Sequence, residues 1–272
     1  MIKLIAIDMD GTLLSEKKHV DSPQKKAVHK AIEVGVKVVL CTGRPLYGVL
    51  PPYRELELEK YNFNEYVILN NGCSVHKTTD WELLAFEEIT KEDVAYLNEL
   101  RKGYDVDLTV SNDDDYFVIG ESANEYTKED GGLVYVKVQP ISIEEATSGK
   151  YTFFKSMFLG NENEIARFVK DRGELINSRC SGVLSQKHIY ETLPKGANKG
   201  VALKKLAKKL NISREEVMAI GDGNNDIEML EFAGVGVAMG NGTKMAKEAA
   251  NYITDTNENN GVAKAIEKFL GE

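Results

Sequence analysis

A chain of 272 residues is long enough for one large domain or two modest ones. Its 42% hydrophobic and 28% charged residues are those of an ordinary soluble globular protein, and a net charge of −9 argues against a nucleic-acid binder held by a basic surface. No apolar run has membrane-spanning length, and the three cysteines, Cys41, Cys73 and Cys180, odd in number and far apart, fit reduced cytosolic thiols rather than a disulfide framework.

In chain order, the first predicted element is a strand over Lys3–Ile7 that ends in Asp8-Met9-Asp10-Gly11-Thr12. The apolar stretch is broken by Asp8 after a few residues, so it does not read as a signal peptide, and a cytoplasmic location is expected. Residues i and i+2 of an extended strand point to the same side, so Asp8 and Asp10 can face one small site where the strand stops. Gly11 lets the chain turn there. Two facing carboxylates repel unless a proton or a cation lies between them, and a hard cation that favours oxygen ligands, Mg²⁺ foremost, resolves the conflict. Standing alone, the same string is a buried strand followed by turn residues.

A helical pattern follows over Ser22–Val34, with Ser22 as its cap, Pro23 at its first position and Gly35 at its end. Val36–Leu40 and Tyr66–Leu69 are short, wholly apolar strands. Thr42 and Gly43 follow the first of them. A hydroxyl and free N–H groups at a strand end can cradle a phosphate oxygen, although taken alone Thr42 reads first as the N-cap of a strand-to-helix turn. Arg44 is either a substrate contact or a surface charge, and Pro45 suits a helix start.

From about 86 to 193 the strands look longer and more alternating, at Asp105–Val110, Tyr116–Ile119, Leu133–Val138 and Thr152–Leu159, with helical patterns at Lys91–Lys102 and Asn163–Arg172. This reads as an α+β insertion with a largely antiparallel sheet. The closing stretch returns to short apolar strands between helices: a helix over Lys199–Leu210, a capping box at Ser213 and Glu216, strands at Val217–Ile220, Gly234–Met239 and Tyr252–Thr254, and helices at Asn225–Phe232, Thr243–Ala250 and Gly261–Leu270. Both ends therefore read as one α/β sheet, parallel and covered on both faces. Lys199 at a helix N-terminus is electrostatically misplaced unless an anion sits there too.

Asp8-Met9-Asp10-Gly11-Thr12 is the first motif of the haloacid dehalogenase (HAD) superfamily of phosphatases, and Cys41-Thr42-Gly43-Arg44 resembles the second. Asn198-Lys199-Gly200 resembles the third and Gly221-Asp222-Gly223-Asn224-Asn225-Asp226 the fourth. The resemblance spans nearly the whole chain and is close to bacterial sugar phosphatases of the Cof-type branch, which carry a large α/β cap between the second and third motifs. It implies a Rossmann-like doubly wound core from 1–85 and 194–272, with 86–193 as an inserted α+β cap that closes over the cleft. It implies that Asp8 is the nucleophile of an aspartyl-phosphate mechanism, and that Asp10 protonates the leaving alcohol and then deprotonates the attacking water. Mg²⁺ would be held by Asp8, Asp222 and the backbone carbonyl of Asp10. Met9, Thr42, Gly43, Arg44, Lys199 and Asn225 would contact phosphate or substrate, and Asp226 would orient Lys199 or a metal-bound water. An aspartate at position 10 favours hydrolysis or mutase chemistry over dehalogenation. The expected partner is a small phosphorylated metabolite, with no nucleic acid and no membrane. The alternatives are a phosphomutase of the same superfamily and a non-catalytic sensor of a phosphorylated ligand.

Overall fold

The computed structural model describes residues 1–61 and 65–271. Its strands are β1 (Leu4–Ile7), β2 (Lys37–Cys41), β3 (Tyr66–Leu69), β4 (Ser74–Lys77), β5 (Leu83–Phe86), β6 (Val106–Ser111), β7 (Tyr116–Ile119), β8 (Gln139–Ile141), β9 (Lys155–Gly160), β10 (Cys180–Gln186), β11 (Ile189–Pro194), β12 (Val217–Gly221), β13 (Val235–Ala238) and β14 (Tyr252–Ile253). Its α-helices are α1 (Ser22–Glu33), α2 (Leu46–Leu56), α3 (Lys91–Leu100), α4 (Glu125–Leu133), α5 (Ile143–Ala146), α6 (Glu162–Arg179), α7 (Lys199–Lys209), α8 (Ile227–Phe232), α9 (Lys244–Ala249) and α10 (Gly261–Leu270). Two compact units result. The first comprises Met1–Gly43, Leu50–Ala85 and Asn198–Glu272, and the second Arg44–Val49 and Phe86–Ala197. The short segment Arg44–Val49, which the sequence places with the first stretch, groups with the second unit.

The first unit carries a sheet of order β14-β13-β12-β1-β2-β3-β4-β5. Strands β14 through β3 run parallel, and β4 turns back antiparallel on β3. Every residue of β1 and β12 is buried, as a central parallel strand covered on both faces requires. One face packs Leu4, Ala6, Val39 and Ile68 against Ala202, Leu203 and Leu206 of α7 and Met229 and Leu230 of α8. Helix α1 lies against α10. Its N-cap is Asp21, one residue before the expected Ser22, and Asp21 makes no side-chain cap bond. Pro23 still lies in the first turn, where its missing N–H has no intrahelical acceptor to lose.

The second unit carries a sheet of order β10-β11-β9-β6-β7-β8. Its pairs are antiparallel except β7 with β8. Val94 and Leu97 of α3 and Ile165, Phe168 and Ile176 of α6 pack on one face, against Val106, Leu108, Val110, Phe117 and Phe158. The expected strand over Leu133–Val138 does not form: Leu133 closes α4, and the next strand begins at Gln139. Val134 and Val136 donate their N–H groups back to Asp130 and Gly131, and Tyr135 adopts a left-handed φ of 65°. A Cβ at Gly131 would stand 2.9 Å from the Val136 carbonyl, so glycine permits this fold-back. The alternating valines are nonetheless used, packing beside Tyr116, Met157, Leu159 and Ile189.

Candidate active site

Three neighbouring parallel strands, β2, β1 and β12, stop at the same edge of the first unit's sheet, and the residues that follow them converge. Open parallel α/β sheets place ligands at this carboxyl edge. The Asp8 N–H extends the β1–β12 ladder by one bond, donating to the Ile220 carbonyl at 2.9 Å. The backbone then reverses: Thr12 and Leu14 donate to the Met9 carbonyl, and Leu13 donates to the Asp8 carbonyl. This reversal needs Gly11, which has φ +81°, and a Cβ there would lie 2.4 Å from Oδ2 of Asp222. The Asp222 carboxylate also accepts the Thr12 hydroxyl at 3.0 Å.

Gly11→Ala is therefore expected to fail twice, by forcing an L side chain into a left-handed conformation at about 1–2 kcal/mol and by pushing Asp222 out of place. Thermal unfolding should show the stability loss, and a divalent-cation titration should show weakened binding. A variant with unchanged cation affinity would show that the Gly11–Asp222 approach is not what keeps the site in shape.

Asp8 is buried, with one carboxylate oxygen 2.6 Å from Nζ of Lys199. Lys199 opens α7, which Asn198 caps by accepting the Val201 N–H at 2.8 Å. Its side chain is wholly buried and reaches Asp226 Oδ1 as well, again at 2.6 Å. The second oxygen of Asp226 accepts the N–H groups of Asp222 and Gly223 at 2.9 and 2.8 Å. Asp226 thus fixes the turn after β12 from within while holding the lysine. Gly72, with φ +96°, sits so near the start of α7 that a Cβ would approach the Asn198 carbonyl to 2.3 Å.

Carboxylate oxygens of Asp8, Asp222 and Asp226 lie within 4.8 Å of one another. Burial, then the charges of Asp226 and Asp222, pushes the Asp8 carboxyl well above its usual range, against the downward pull of Lys199. Asp222 is pushed up to about 6, by burial first and the Asp226 charge second. Burial alone would lower Lys199, but the charges of Asp226 and Asp8 outweigh it and hold the ammonium above its ordinary value. One lysine among three close carboxylates leaves a concentration of negative oxygen donors, and this donor set fits a hard divalent cation. The Cys41 thiol nearby is pushed up by burial and stays protonated.

Thr42 is buried, donates its N–H to Ile68 and accepts the Asn71 N–H at 3.0 Å. Gly43 lies against the Asn71 amide, where a Cβ would come to 3.0 Å. Asn225 donates to Oδ1 of the same Asn71 at 2.9 Å. Asn71 therefore links the loops after β2, β3 and β12, and the sequence reading missed it. Its signal was the Asn70-Asn71-Gly72 string directly after a short apolar strand, with Asn71 in the left-handed region at φ 55°. Thr12, Asn241 (a donor to the Gly11 carbonyl at 2.8 Å) and Lys18 were missed as well. Met9 is fully buried, and its carbonyl anchors the reversal. Arg44 belongs to the second unit, buried, with Nη1 on the Gly48 carbonyl at 2.9 Å. The Asp10 carboxylate is not in the three-aspartate cluster. It is half-exposed and paired with Lys18 Nζ at 2.7 Å.

Residues 5–266 match the haloacid dehalogenase-like hydrolase family. The chain belongs to this family. Among curated relatives of this HAD-type hydrolase, the 5-amino-6-(5-phospho-D-ribitylamino)uracil phosphatase YcsE of Bacillus subtilis is 32% identical over 271 residues, covering 99% of this chain and 96% of the relative. Phosphatase YwpJ of the same organism is 31% identical over 300 residues, covering 99% and 100%. Among solved structures, the HAD subclass IIB sugar phosphatase BT4131 superposes with a TM-score of 0.84 at 26% identity, covering 98% of each chain. The protein is accordingly an enzyme, a phosphatase of the HAD type. Such hydrolases generally use a divalent metal, and the three-aspartate cluster is suited to one. Among the described residues, no helix is long and apolar enough to cross a membrane.

Proposed function

We propose that this HAD phosphatase is Mg²⁺-dependent and hydrolyses small phosphorylated metabolites, sugar phosphates foremost, through an aspartyl-phosphate on Asp8. The observation that carries the reading is the buried Asp8 carboxylate at a strand end, bonded through one oxygen to Lys199 and set beside Asp222 and Asp226. Asp8 and Asp222 would hold the metal through their carboxylates and Asp10 through its main-chain carbonyl. When bound, the cation offsets the negative charge of these carboxylates and of the phosphoryl oxygens.

In the first step an Asp8 oxygen attacks phosphorus while the bond to the leaving oxygen breaks, and the Asp10 carboxyl gives its proton to that oxygen. In the second, the Asp10 carboxylate takes a proton from water as the water oxygen attacks phosphorus. The bond to Asp8 breaks, phosphate leaves, and both carboxyl groups return to their starting states. Lys199, the Thr42 hydroxyl, the N–H of Gly43 and the Asn225 amide would receive the phosphoryl oxygens, the lysine being held in place by Asp226. A polyhydroxyl leaving group is supported by two likenesses: one relative is a phosphatase of a phosphoribityl compound, and one structural neighbour is a sugar phosphatase.

Activity is expected to vanish on exhaustive chelation and to return with Mg²⁺, because three close aspartates repel a second dianion until a cation offsets them. Phosphate release from a panel of sugar phosphates, before and after EDTA, tests both parts. Full activity in the chelated enzyme overturns the metal requirement, and isomerised sugar phosphate in place of free phosphate overturns hydrolysis in favour of a mutase.

A further inference from the structure

The loop that follows the Asp8–Thr12 turn contains a residue whose conformation is hard to explain by stability. Lys18 adopts φ +63°, a left-handed conformation that costs an L residue energy and that glycine, asparagine or aspartate fills more readily. The loop around it is pinned on several sides. Ser15 donates its N–H to the His19 carbonyl, and Lys18 donates its own to the Ser15 carbonyl at 2.9 Å. Glu55 accepts from the Val20 N–H at 3.0 Å and lies 2.9 Å from the His19 ring, while Glu258 accepts the Glu16 N–H at 2.7 Å. These anchors impose the backbone conformation, and glycine at position 18 would satisfy it at less cost. What lysine adds is its side chain, which ends 2.7 Å from Oδ1 of Asp10.

As a stabilising contact, that ion pair is poor. Both side chains are 39% exposed, and exposed pairs add little to stability. A strained backbone held by over-determined surroundings, carrying a weak surface pair to a reacting carboxyl group, points to function rather than folding. We infer that Lys18 is a positioning residue for Asp10, fixing the orientation of its carboxyl group for proton transfer. The inference rests on the acid–base role given to Asp10 above. It deepens that role by naming a charged donor that holds one oxygen of the group, and proton transfer depends on that orientation.

The informative variant is Lys18→Gly, because it removes the ammonium while suiting the backbone. The melting temperature should hold or rise, kcat on a sugar phosphate should fall roughly 10-fold, and KM should stay within about twofold. Lys18→Arg should recover most of kcat. In an Asp10→Asn background, which should itself be nearly inactive, Lys18→Gly should cost nothing further. Unchanged kcat in Lys18→Gly, or an equal loss in both backgrounds, overturns the inference while leaving the Asp10 role intact. A rise in KM with kcat preserved also overturns it, showing that Lys18 only attracts the substrate dianion. Full turnover by Asp10→Asn overturns the acid–base reading itself, and the positioning role with it.

Discussion

Replacing Asp8 by asparagine is expected to lower kcat by at least ~10³-fold while leaving the fold intact. The amide is nearly the size of the carboxylate, and its oxygen can still accept from Lys199, which lies 2.6 Å from Oδ1 in the native site. The neighbouring backbone bonds, from Asp8 N–H to Ile220 and from Leu13 to the Asp8 carbonyl, do not involve the side chain. An amide cannot attack phosphorus as an anion, so the covalent step is lost and its substitutes are slow. Single-turnover and steady-state phosphate release with saturating Mg²⁺ measure the effect. Near-normal turnover by a well-folded Asp8→Asn enzyme would remove Asp8 from the nucleophile role.

Lys199→Met is expected to have the largest effect on stability. The native ammonium is wholly buried between Asp8 and Asp226, at 2.6 Å from each. Methionine fills much of the stem's volume but leaves two buried carboxylates without their cation, a loss of about 3–5 kcal/mol by analogy with other broken buried pairs. The deficit should depend on pH in a definite direction. The Asp8 carboxyl already sits above its ordinary value of 3.8, and Lys199 is the influence that lowers it. Without the lysine it rises further, so the folded variant binds this proton more tightly than the unfolded chain does. Stability then falls as pH rises from the ordinary carboxylate value through the raised one. Urea unfolding of metal-free protein should therefore show a larger gap between variant and native enzyme at pH 8 than at pH 5. An equal gap at both values would show that lost packing, not stranded charge, governs the site.

The parts of the site legible in the sequence are those where one strand delivers one residue. Asp8, Thr42 and Asp222 each follow a short apolar run, and the runs proved to be neighbouring parallel strands because β1 pairs with both β2 and β12. The family motifs then supplied the grouping that periodicity could not. Residues that act across loops were not legible in the same way. Asn71 joins Thr42 and Asn225 through contacts between segments far apart in sequence, and Lys18 meets Asp10 from a left-handed backbone position that no periodicity marks. In the second unit, local pattern misled where tertiary contacts overrode it. The alternation from Leu133 to Val138 imitates a strand, yet the N–H groups of Val134 and Val136 return to the end of α4. Pro51 and Pro52 would ordinarily break a helix, yet both lie inside α2. That helix buries Val49, Tyr53 and Leu56, and their packing sustains it.

The placement of β1 between β2 and β12 also sets the order in which the enzyme can mature. Leu4 is matched to Lys37 on one side and to Val217 on the other, so one flank of the central strand forms early in synthesis and the other waits for most of the chain. A nascent polypeptide can build helices and the β1–β2 pair while it still lacks Lys199, Asp222 and Asp226. Pairing over such a sequence separation is slow, because a long loop must close before any contact offsets the lost entropy. Catalytic competence is therefore expected to return no earlier than that pairing during refolding. The return of phosphate release should lag behind the return of helical circular dichroism, and the interval between them times the docking of β12 onto β1.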